Sequence, residues 1–423
     1  MKDFEWGIIG GGIAGIAISE ILSRQGHSVA LIEKNELLAS ETTREFHEWI
    51  HTGALYTLIP DKFRTLKYIL GAIDDLIEYY SCFERMNISP TDNGLVIRNG
   101  DLIDKGWFSP NYIDFKFRIK GRKLTFPWLI GAARSIDLIE KIHNHDWLRR
   151  RAGELEPLKV NLFKNIIKGF YDLLKTDKKF VTATTPDFTT NSRILLRDIV
   201  STAVKNGTYL SLDNEIRMIS KKEDKIMING KNESFNVKKI AICAGAGVLR
   251  FFPGLKIKTS YAPIAVVDNI SPDARSFVEL DYFPKNCINM LTKGDGVALI
   301  GGISLNNPSK CQEYINYVIK EHKKQNPSMR VIDTYIGNKN EIVFDKDKRS
   351  YVFHINEIPG YDNVWSIIPG KFTLAFSLAP EFYRRVYGKN PIKTYKTHTD
   401  VSEHGNFVAN SFWQDSKNKN NGY

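Results

Sequence analysis

A glycine-rich turn close to the amino terminus constrains this chain more than any other feature. Phe4–Ile9 is predicted to be a strand, and Ile13–Gln25 carries apolar residues at helical spacing. Between and within them, Gly10, Gly12 and Gly15 form the pattern GxGxxG. In this pattern the first glycine permits a tight turn and the second lets a pyrophosphate approach the backbone, while the third lets helix and strand pack closely. The pattern therefore predicts a βαβ unit that binds a dinucleotide.

The residues around this turn predict how the dinucleotide is held. The N–H groups of Ile13 and Ala14 open the helix, where the helix dipole stabilises phosphate charge. Ser28–Glu33 is a predicted second strand, and Glu33 at its end can accept hydrogen bonds from ribose hydroxyls. We count Lys34, the next residue, in the same site. These features alone suit NAD as well as FAD.

Further elements are predicted along the chain. From about Thr57 to Thr184 the pattern is helical and irregular, and after about Lys393 the chain is polar and is expected to be a mobile tail. The other expected elements are helices at Arg193–Lys205, Gln312–His322 and Phe372–Tyr387, strands at Tyr209–Leu212, Glu215–Ser220, Lys239–Cys243, Tyr261–Asp268, Gly296–Ile300 and Asn363–Ile367, and a hairpin at Asp224–Asn236 that turns at Asn229-Gly230.

Three separated blocks carry a resemblance to a known family. Thr42 and Thr43 precede Ile50-His51-Thr52-Gly53 in the first block. In the second, the helix Arg193–Lys205 is followed by Asn214-Glu215-Ile216 and by a strand that leads into Ala244-Gly245-Ala246-Gly247. In the third, a late strand leads into Gly370-Lys371-Phe372-Thr373. The chain resembles the FAD-dependent oxidoreductase superfamily typified by D-amino-acid oxidase. It is most similar to the branch that holds FAD-linked glycerol-3-phosphate dehydrogenases and 2-hydroxyglutarate oxidases. The resemblance implies FAD, bound without a covalent link, as the cofactor. It adds these residues to the FAD site: Thr42, Thr43, Ile216, Ala244, Gly245, Gly370, Lys371, Phe372 and Thr373.

The resemblance also implies the fold class and the domains. It implies an α/β protein with a Rossmann-like FAD-binding domain of the glutathione-reductase type. This domain is expected to be discontinuous, over residues 1–60, 185–255 and 345–392. An interleaved α+β substrate domain on a mixed or antiparallel sheet is expected over residues 61–184 and 256–344, and a polar tail over 393–423.

Four residues are candidates for the reaction itself. The resemblance places His51 beside the flavin, where histidine can accept a proton or bind substrate. His354, upstream of the last strand, is a second candidate, although a structural histidine is the better interpretation there. Arg349 could hold a carboxylate or phosphate, because its planar guanidinium matches two oxygens. Lys371 could stabilise negative charge on reduced flavin or bind substrate.

These residues predict an FAD-dependent dehydrogenase or oxidase that acts on a CH–OH carbon of a small anionic metabolite. An amine or amino-acid oxidase of the same fold is the first alternative, and the electron acceptor (oxygen, a quinone or a carrier) stays open. A flavin monooxygenase is less favoured, because such enzymes usually carry a Gly-Asp-Ala-type segment late in the chain. The late Gly294-Asp295 is instead predicted to be a turn before a strand. A disulfide reductase would need a second GxGxxG and a CxxC, and neither occurs in the sequence. An FAD-containing tRNA-modifying or nucleic-acid-binding protein is the alternative from another class.

Net charge and cysteine content limit the expected partners and the expected cellular compartment of the protein. The formal net charge is +11, which we interpret as a solvated basic surface, with nucleic acid an unfavoured partner. The four cysteines form no zinc-type cluster, so no metal site is expected, and they favour a reducing, cytoplasmic compartment. No apolar run approaches the roughly 18 residues that span a bilayer. Peripheral contact with the inner face of the membrane stays compatible with these observations.

Overall fold

The computed structural model describes residues 1–59, 61, 63–91, 94–97, 106–121, 126–143, 162–222, 224–271, 273–294, 296–343, 352–393, 396–397 and 405–420. In this part of the chain two eight-stranded sheets and a two-stranded ribbon carry the fold. The helices, numbered in chain order, are α1 (Ile13–Arg24), α2 (Arg64–Tyr80), α3 (Phe126–His143), α4 (Leu162–Lys175), α5 (Ser192–Lys205), α6 (Cys311–Gln325), α7 (Ala375–Tyr387) and α8 (Phe412–Asn420).

The first sheet is mainly parallel. Five strands run parallel in the order β18-β11-β1-β2-β8, β17 pairs antiparallel with β18 at one edge, and the β9–β10 hairpin pairs with β11. The bounds are β1 (Lys2–Ile9), β2 (Val29–Ile32), β8 (Tyr209–Ser211), β9 (Ile216–Lys222), β10 (Lys225–Gly230), β11 (Ser234–Ile242), β17 (His354–Glu357) and β18 (Val364–Ile368). Helices α1, α5 and α7 pack together on one face, and a second apolar cluster with Ile226 and Ile228 of the β9–β10 hairpin lies on the other. The strand β2 is therefore buried on both sides and is apolar throughout.

The second sheet is mainly antiparallel, with the order β16-β12-β15-β14-β13-β6-β7-β3. Its parallel pair is β13 with β6. Side chains at Phe277 and Val278 alternate between two apolar clusters, one under α3 and α4 and the other under α6. The bounds are β3 (Trp49–Ile50), β6 (Phe108–Arg118), β7 (Phe180–Thr190), β12 (Ile257–Asp268), β13 (Phe277–Leu280), β14 (Ile288–Gly294), β15 (Val297–Gly302) and β16 (Arg330–Ile342), with the ribbon strands β4 (Ile88–Thr91) and β5 (Gly94–Ile97).

The expectation of a helical and irregular stretch from Thr57 to Thr184 is wrong for two long strands, β6 and β7, which pair antiparallel inside the second sheet. In β6 the fully buried Ile113, Phe115 and Phe117 alternate with more polar neighbours. This period of two indicates a strand buried on one face. The fold class itself is confirmed: a Rossmann-like parallel sheet and a second, mixed sheet.

The carboxy-terminal segment also differs from its prediction. Residues after Lys393 were expected to lack regular structure, but Gly405–Phe407 form a 3-10 turn and Phe412–Asn420 form α8. Val408 and Ser411 are buried. Two smaller differences are the hairpin turn, which lies after Gly230, and the start of α7, which lies at Ala375. None of the described helices has the length and apolarity that crossing a membrane requires.

Candidate active site

One large cavity is lined by both sheets. Its volume is about 1360 Å³, which exceeds the roughly 300–1,000 Å³ of a site for one small molecule. The glycine turn and the end of β2 line it in one region, and His51, Gly370 and Lys371 line it in another. The cavity therefore has room for a dinucleotide together with a small substrate. We call the first region the nucleotide end, and the second the histidine end.

The three glycines of the turn serve distinct geometric needs at the nucleotide end. Gly10 has φ +107°, and a Cβ there would lie 2.8 Å from the carbonyl carbon of Cys243. A Cβ on Gly15 would lie 1.9 Å from the carbonyl oxygen of Gly10. Gly12 lines the cavity as the N-cap of α1. The turn thus brings main-chain atoms to the cavity wall, where side chains would keep a pyrophosphate away.

Glu33 and Thr43 hold the walls of this end in place. Glu33 Oε2 accepts a hydrogen bond from the Gly11 N–H at 2.6 Å, and Oε1 accepts one from the Asn35 N–H at 3.0 Å. Burial raises the pKa of the Glu33 carboxyl above its usual value. Thr43 Oγ1 accepts a hydrogen bond from the Ile13 N–H at 3.1 Å, so the threonine lies at the amino terminus of α1.

The loop between Glu33 and Glu48 covers the nucleotide end and is braced by the carboxy-terminal segment. Leu38 donates its N–H to the carbonyl of Phe407 at 2.7 Å and accepts the N–H of Ala409 at 3.0 Å. Arg44, which follows the two threonines, forms an ion pair with Asp415 of α8 at 2.7 Å. The last described residues of the chain therefore contact the loop beside the predicted pyrophosphate site.

Glu48, like Leu38 and Arg44, is a residue of this loop that contacts the carboxy-terminal segment. It has φ +56°, an uncommon conformation for a residue with a side chain. Its buried carboxylate pairs with Lys293 Nζ at 2.9 Å and accepts the indole N–H of Trp413 at 2.7 Å. It also hydrogen-bonds Ser192 at the start of α5. These contacts fasten the loop to the second sheet, to α8 and to α5.

At the histidine end the main chain and the ring of His51 are both held. The His51 N–H donates to Thr373 Oγ1 at 3.0 Å. Its ring lies 4.2 Å from the ring of Trp49 and 5.3 Å from that of Tyr56, measured between centroids. Burial lowers the pKa of His51 to about 4, and the charges of Lys371 and Lys339 lower it further. The imidazole is therefore neutral at pH 7.

Asp187 in β7 lies behind this histidine and is fully buried. Its Oδ1 accepts both the N–H and the hydroxyl of Thr52, at 2.9 and 2.5 Å, and its Oδ2 accepts the indole N–H of Trp49 at 2.9 Å. Oδ2 lies 3.7 Å from His51 Nδ1, which is too long for a hydrogen bond. The carboxylate thus fixes the residues on both sides of His51 and raises its pKa towards the usual value.

Two lysines line the cavity near His51. Lys371 Nζ lies 5.2 Å from the centroid of the Tyr56 ring, and Lys339 of β16 pairs with Glu341 at 2.9 Å. Gly370 has φ +69°, and a Cβ there would lie 2.7 Å from the carbonyl oxygen of Val352. Lys371 starts a turn that leads into α7, because its carbonyl accepts the Leu374 N–H at 3.1 Å.

A second histidine of the cavity was not predicted from the sequence. His47 lines the cavity, and its Nε2 is buried with no hydrogen-bond partner among the described residues. Burial lowers its pKa to about 3. Lys293 donates to the His47 carbonyl at 2.8 Å, which connects the main chain here to β14.

The structure brings most of the predicted site residues to one cavity. Gly15 packs behind the turn and Thr373 holds the main chain of His51, as described above. His354 lies on β17, buried, with Nε2 at 2.9 Å from Ser366 Oγ, and does not figure among the described residues that line the cavity. Arg349 lies outside the described residues. The predicted residues that line the cavity are Gly10, Gly12, Ile13, Ala14, Glu33, Lys34, Thr42, Thr43, His51, Ile216, Ala244, Gly245, Gly370, Lys371 and Phe372.

The parallel sheet with its glycine turn, and the cavity that continues to a partly buried histidine under a second sheet, define a protein that is built to bind a dinucleotide. A family model described as FAD dependent oxidoreductase (DAO) matches residues 5–368, most of the chain. The protein belongs to this family, and FAD is its cofactor. No curated protein matches its sequence significantly.

Solved structures share the fold at low sequence identity. The dithionite-reduced L-alpha-glycerophosphate oxidase from Mycoplasma pneumoniae, with FAD bound, has a TM-score of 0.62 at 17% identity, over 96% of this chain and 98% of that one. An L-amino acid deaminase from Proteus vulgaris, without its specific insertion sequence, has a TM-score of 0.63 at 14% identity, over 92% and 91%. Glycine oxidase from Geobacillus kaustophilus has a TM-score of 0.62 at 13% identity, over 94% and 100%.

The residues of the cavity fit FAD. The glycine turn and Thr43 would hold the pyrophosphate, Glu33 the ribose, and Gly370 with Lys371 the flavin. FAD supplies an acceptor for a hydride. The protein supplies the neutral imidazole of His51 and the positive charge of Lys371 and Lys339 at the same end of the cavity.

Proposed function

We propose that this enzyme oxidises a CH–OH carbon of a small anionic metabolite, either a hydroxy acid or a phosphorylated alcohol, and that the hydride goes to N5 of non-covalently bound FAD. One observation carries the proposal: the neutral His51 lines the cavity next to two ammonium groups. A neutral imidazole can accept the hydroxyl proton as the C–H bond breaks.

The charges near His51 support an anionic substrate. Asp187 raises the pKa of His51 from behind the ring, but Lys371 and Lys339 lower it and are the charged side chains of this group that line the cavity. Glu341 pairs with Lys339 and offsets part of its positive charge. A positive potential in a buried cavity attracts a carboxylate or phosphate and repels an ammonium group. Arg349, outside the described residues, stays our proposed additional anion ligand.

An amine or amino-acid substrate is the second candidate. It is supported by the likeness to the Proteus deaminase and the Geobacillus glycine oxidase, which extends over more than nine-tenths of this chain. Such a substrate must lose its ammonium proton before it gives up a hydride, and His51 could accept that proton too. The two candidates therefore share the base and differ in the charge of the group beside it.

Anaerobic flavin bleaching tests the proposal. The purified holoenzyme is mixed with phosphorylated alcohols, 2-hydroxy acids and amino acids, and the loss of flavin absorbance is followed. We expect bleaching by a member of the first two groups, and none at comparable rates by amino acids. Bleaching by amino acids alone would contradict the proposal. Acid precipitation should release FAD into the supernatant, whereas flavin that stays with the precipitate would show a covalent link.

A further inference from the structure

Helix α4 carries an exposed apolar stripe in addition to its buried face. The buried side packs against α3, where Gly169 lies in contact with Ala133 and Leu173 is buried. The opposite side presents Ile167, Tyr171 and Leu174, which are 41%, 57% and 50% exposed. The spacing i, i+4, i+7 places these three side chains on one line along the helix.

The stripe continues to an edge of the cavity. The ring of Phe126, 62% exposed, lies 5.0 Å from that of Phe170, which lies 6.0 Å from that of Tyr171. Pro127 and Trp128, the next residues of α3, line the cavity.

A second segment at this edge is also apolar and exposed. Tyr282 lines the cavity and is 40% exposed, and its ring packs edge to face on that of the exposed Phe283. Cys287, at the end of this segment, packs into the apolar cluster that contains Trp128. A set of exposed apolar residues this large marks an interaction site on a protein surface.

Basic residues accompany this surface. Among the described residues of the same segments, five exposed lysines stand against three exposed carboxylates, those of Asp172, Asp177 and Glu140, and Asp177 pairs with Lys120 at 3.3 Å. Aromatic and aliphatic side chains next to lysines are typical of helices that lie in the interface of an anionic bilayer. An isologous contact with a second copy would instead bring lysines of the same sign together. The lysines are Lys168, Lys175, Lys178, Lys179 and Lys285.

We propose that this surface, formed by Phe126, Ile167, Tyr171, Leu174, Tyr282 and Phe283, docks the enzyme onto an anionic membrane with one edge of its cavity against the lipid. The protein would lie on the membrane, with α4 parallel to its plane. The proposal concerns the membrane surface alone and does not depend on which metabolite is oxidised.

Vesicle co-sedimentation of the holoenzyme tests the proposal. Vesicles of phosphatidylcholine with about one-third phosphatidylglycerol are compared with vesicles of phosphatidylcholine alone. We expect binding to the anionic vesicles that weakens with salt. The double variant Tyr171→Ser/Leu174→Ser should bind about tenfold more weakly or worse, because it removes two large apolar groups from the contact. Lys168→Ala should weaken binding about fivefold, and only on anionic vesicles.

A matched control separates the surface from a general loss of hydrophobicity. Met218 on β9 is 49% exposed, almost the same as Leu174, and Met218→Ser should leave vesicle binding unchanged. All variants should keep their flavin absorbance and thermal unfolding temperature. Absence of vesicle binding by the wild-type enzyme, or equal binding by the double variant, would overturn the proposal. So would self-association of the wild-type enzyme that the double variant abolishes, since a second copy would then cover the stripe.

Discussion

The nucleotide end of the cavity is shaped by main-chain atoms, whereas the histidine end is assembled from side chains of distant segments. At the first, the turn Gly10–Gly15 and the end of β2 lie within one βαβ unit, and glycines let the backbone reach the wall. At the second, His51, Asp187, Lys339 and Lys371 come from four segments of both sheets. We therefore expect substitutions at the first end to affect folding and cofactor binding, and those at the second to affect turnover.

The largest effect is expected at Gly15. A Cβ there would lie 1.9 Å from the carbonyl oxygen of Gly10, a backbone atom that cannot move without the strand. Gly15→Ala should cost about 3 kcal/mol or more and abolish FAD retention. Flavin content and thermal unfolding check this. Gly71→Ala is the control, since a Cβ on Gly71, within α2, meets no atom within 4 Å. Equal flavin content in Gly15→Ala and Gly71→Ala would contradict the expectation that cofactor binding depends on the main-chain packing of the glycine turn.

His51→Gln tests the other end. Loss of a positioned general base lowers rates by about 10²–10⁴, so kcat should fall in that range. The flavin content should stay at the wild-type level, because the His51 side chain forms none of the described contacts at the nucleotide end. Rapid-mixing flavin reduction measures the step directly. A variant that reduces its flavin at the wild-type rate would remove His51 from the proton transfer.

Asp187→Asn should produce a smaller loss. The carboxylate accepts three hydrogen bonds from Thr52 and Trp49, and an amide in its place would turn an N–H towards one of these donors. One charged hydrogen bond contributes about 1.5–3 kcal/mol, so kcat should fall about tenfold to a hundredfold. Asp187 acts as a positioning residue through Trp49 and Thr52, which lie two positions before and one position after His51.

A pH profile distinguishes this role from a general structural one. Removing the negative charge 3.7 Å from His51 Nδ1 lowers the pKa of the imidazole further, so the acid limb of kcat/KM should move to lower pH. An unchanged acid limb alongside a reduced kcat would mean that Asp187 supports the fold only.

The wild-type pH profile is itself a prediction. A base must be unprotonated to act, and the pKa of His51 is about 4. We therefore expect kcat/KM to stay level from neutral pH to about pH 5 and to fall as the pH approaches 4. An acid limb at the usual histidine pKa near 6.5 would contradict the burial of this ring.

Stability must be followed in the same titration. The pKa values of His51, His322 and His354 are each lowered to about 4, and that of His47 to about 3, all by burial. The unfolded chain binds these protons near pH 6.5, before the folded chain does. Stability is therefore complete above about pH 6.5 and is lost progressively as the pH falls towards 4. Activity is best compared at pH values where the flavin is still bound.

The contrast between the local nucleotide end and the histidine end, which is assembled from distant segments, explains which features the sequence could predict. The glycine turn and Glu33 could be assigned to one site from the sequence because they belong to one short local pattern, and Lys371 because its turn resembles a segment of a known family. Asp187 was missed because its role depends on the pairing of β7 with β3, which sets Thr189 opposite Trp49. The strand β6 did carry a local signal, the alternation of Ile113, Phe115 and Phe117 with polar residues. The brace by α8 carried none, since its contacts join residues more than 300 positions apart.

Removing one contact between α8 and the loop at the nucleotide end should have the smallest effect of these substitutions, and it tests that end most specifically. Trp413→Phe keeps an aromatic ring and removes the indole N–H that Glu48 accepts at 2.7 Å. Losing one such hydrogen bond costs about 1 kcal/mol, so FAD should dissociate about fivefold more readily, as measured by recovery of flavin fluorescence. Lys419→Ala, on an exposed part of the same helix, is the control and should retain FAD like the wild type. If Trp413→Phe also retains it unchanged, the other contacts of the loop, which include the main chain of Leu38 and the Arg44–Asp415 ion pair, suffice to hold it.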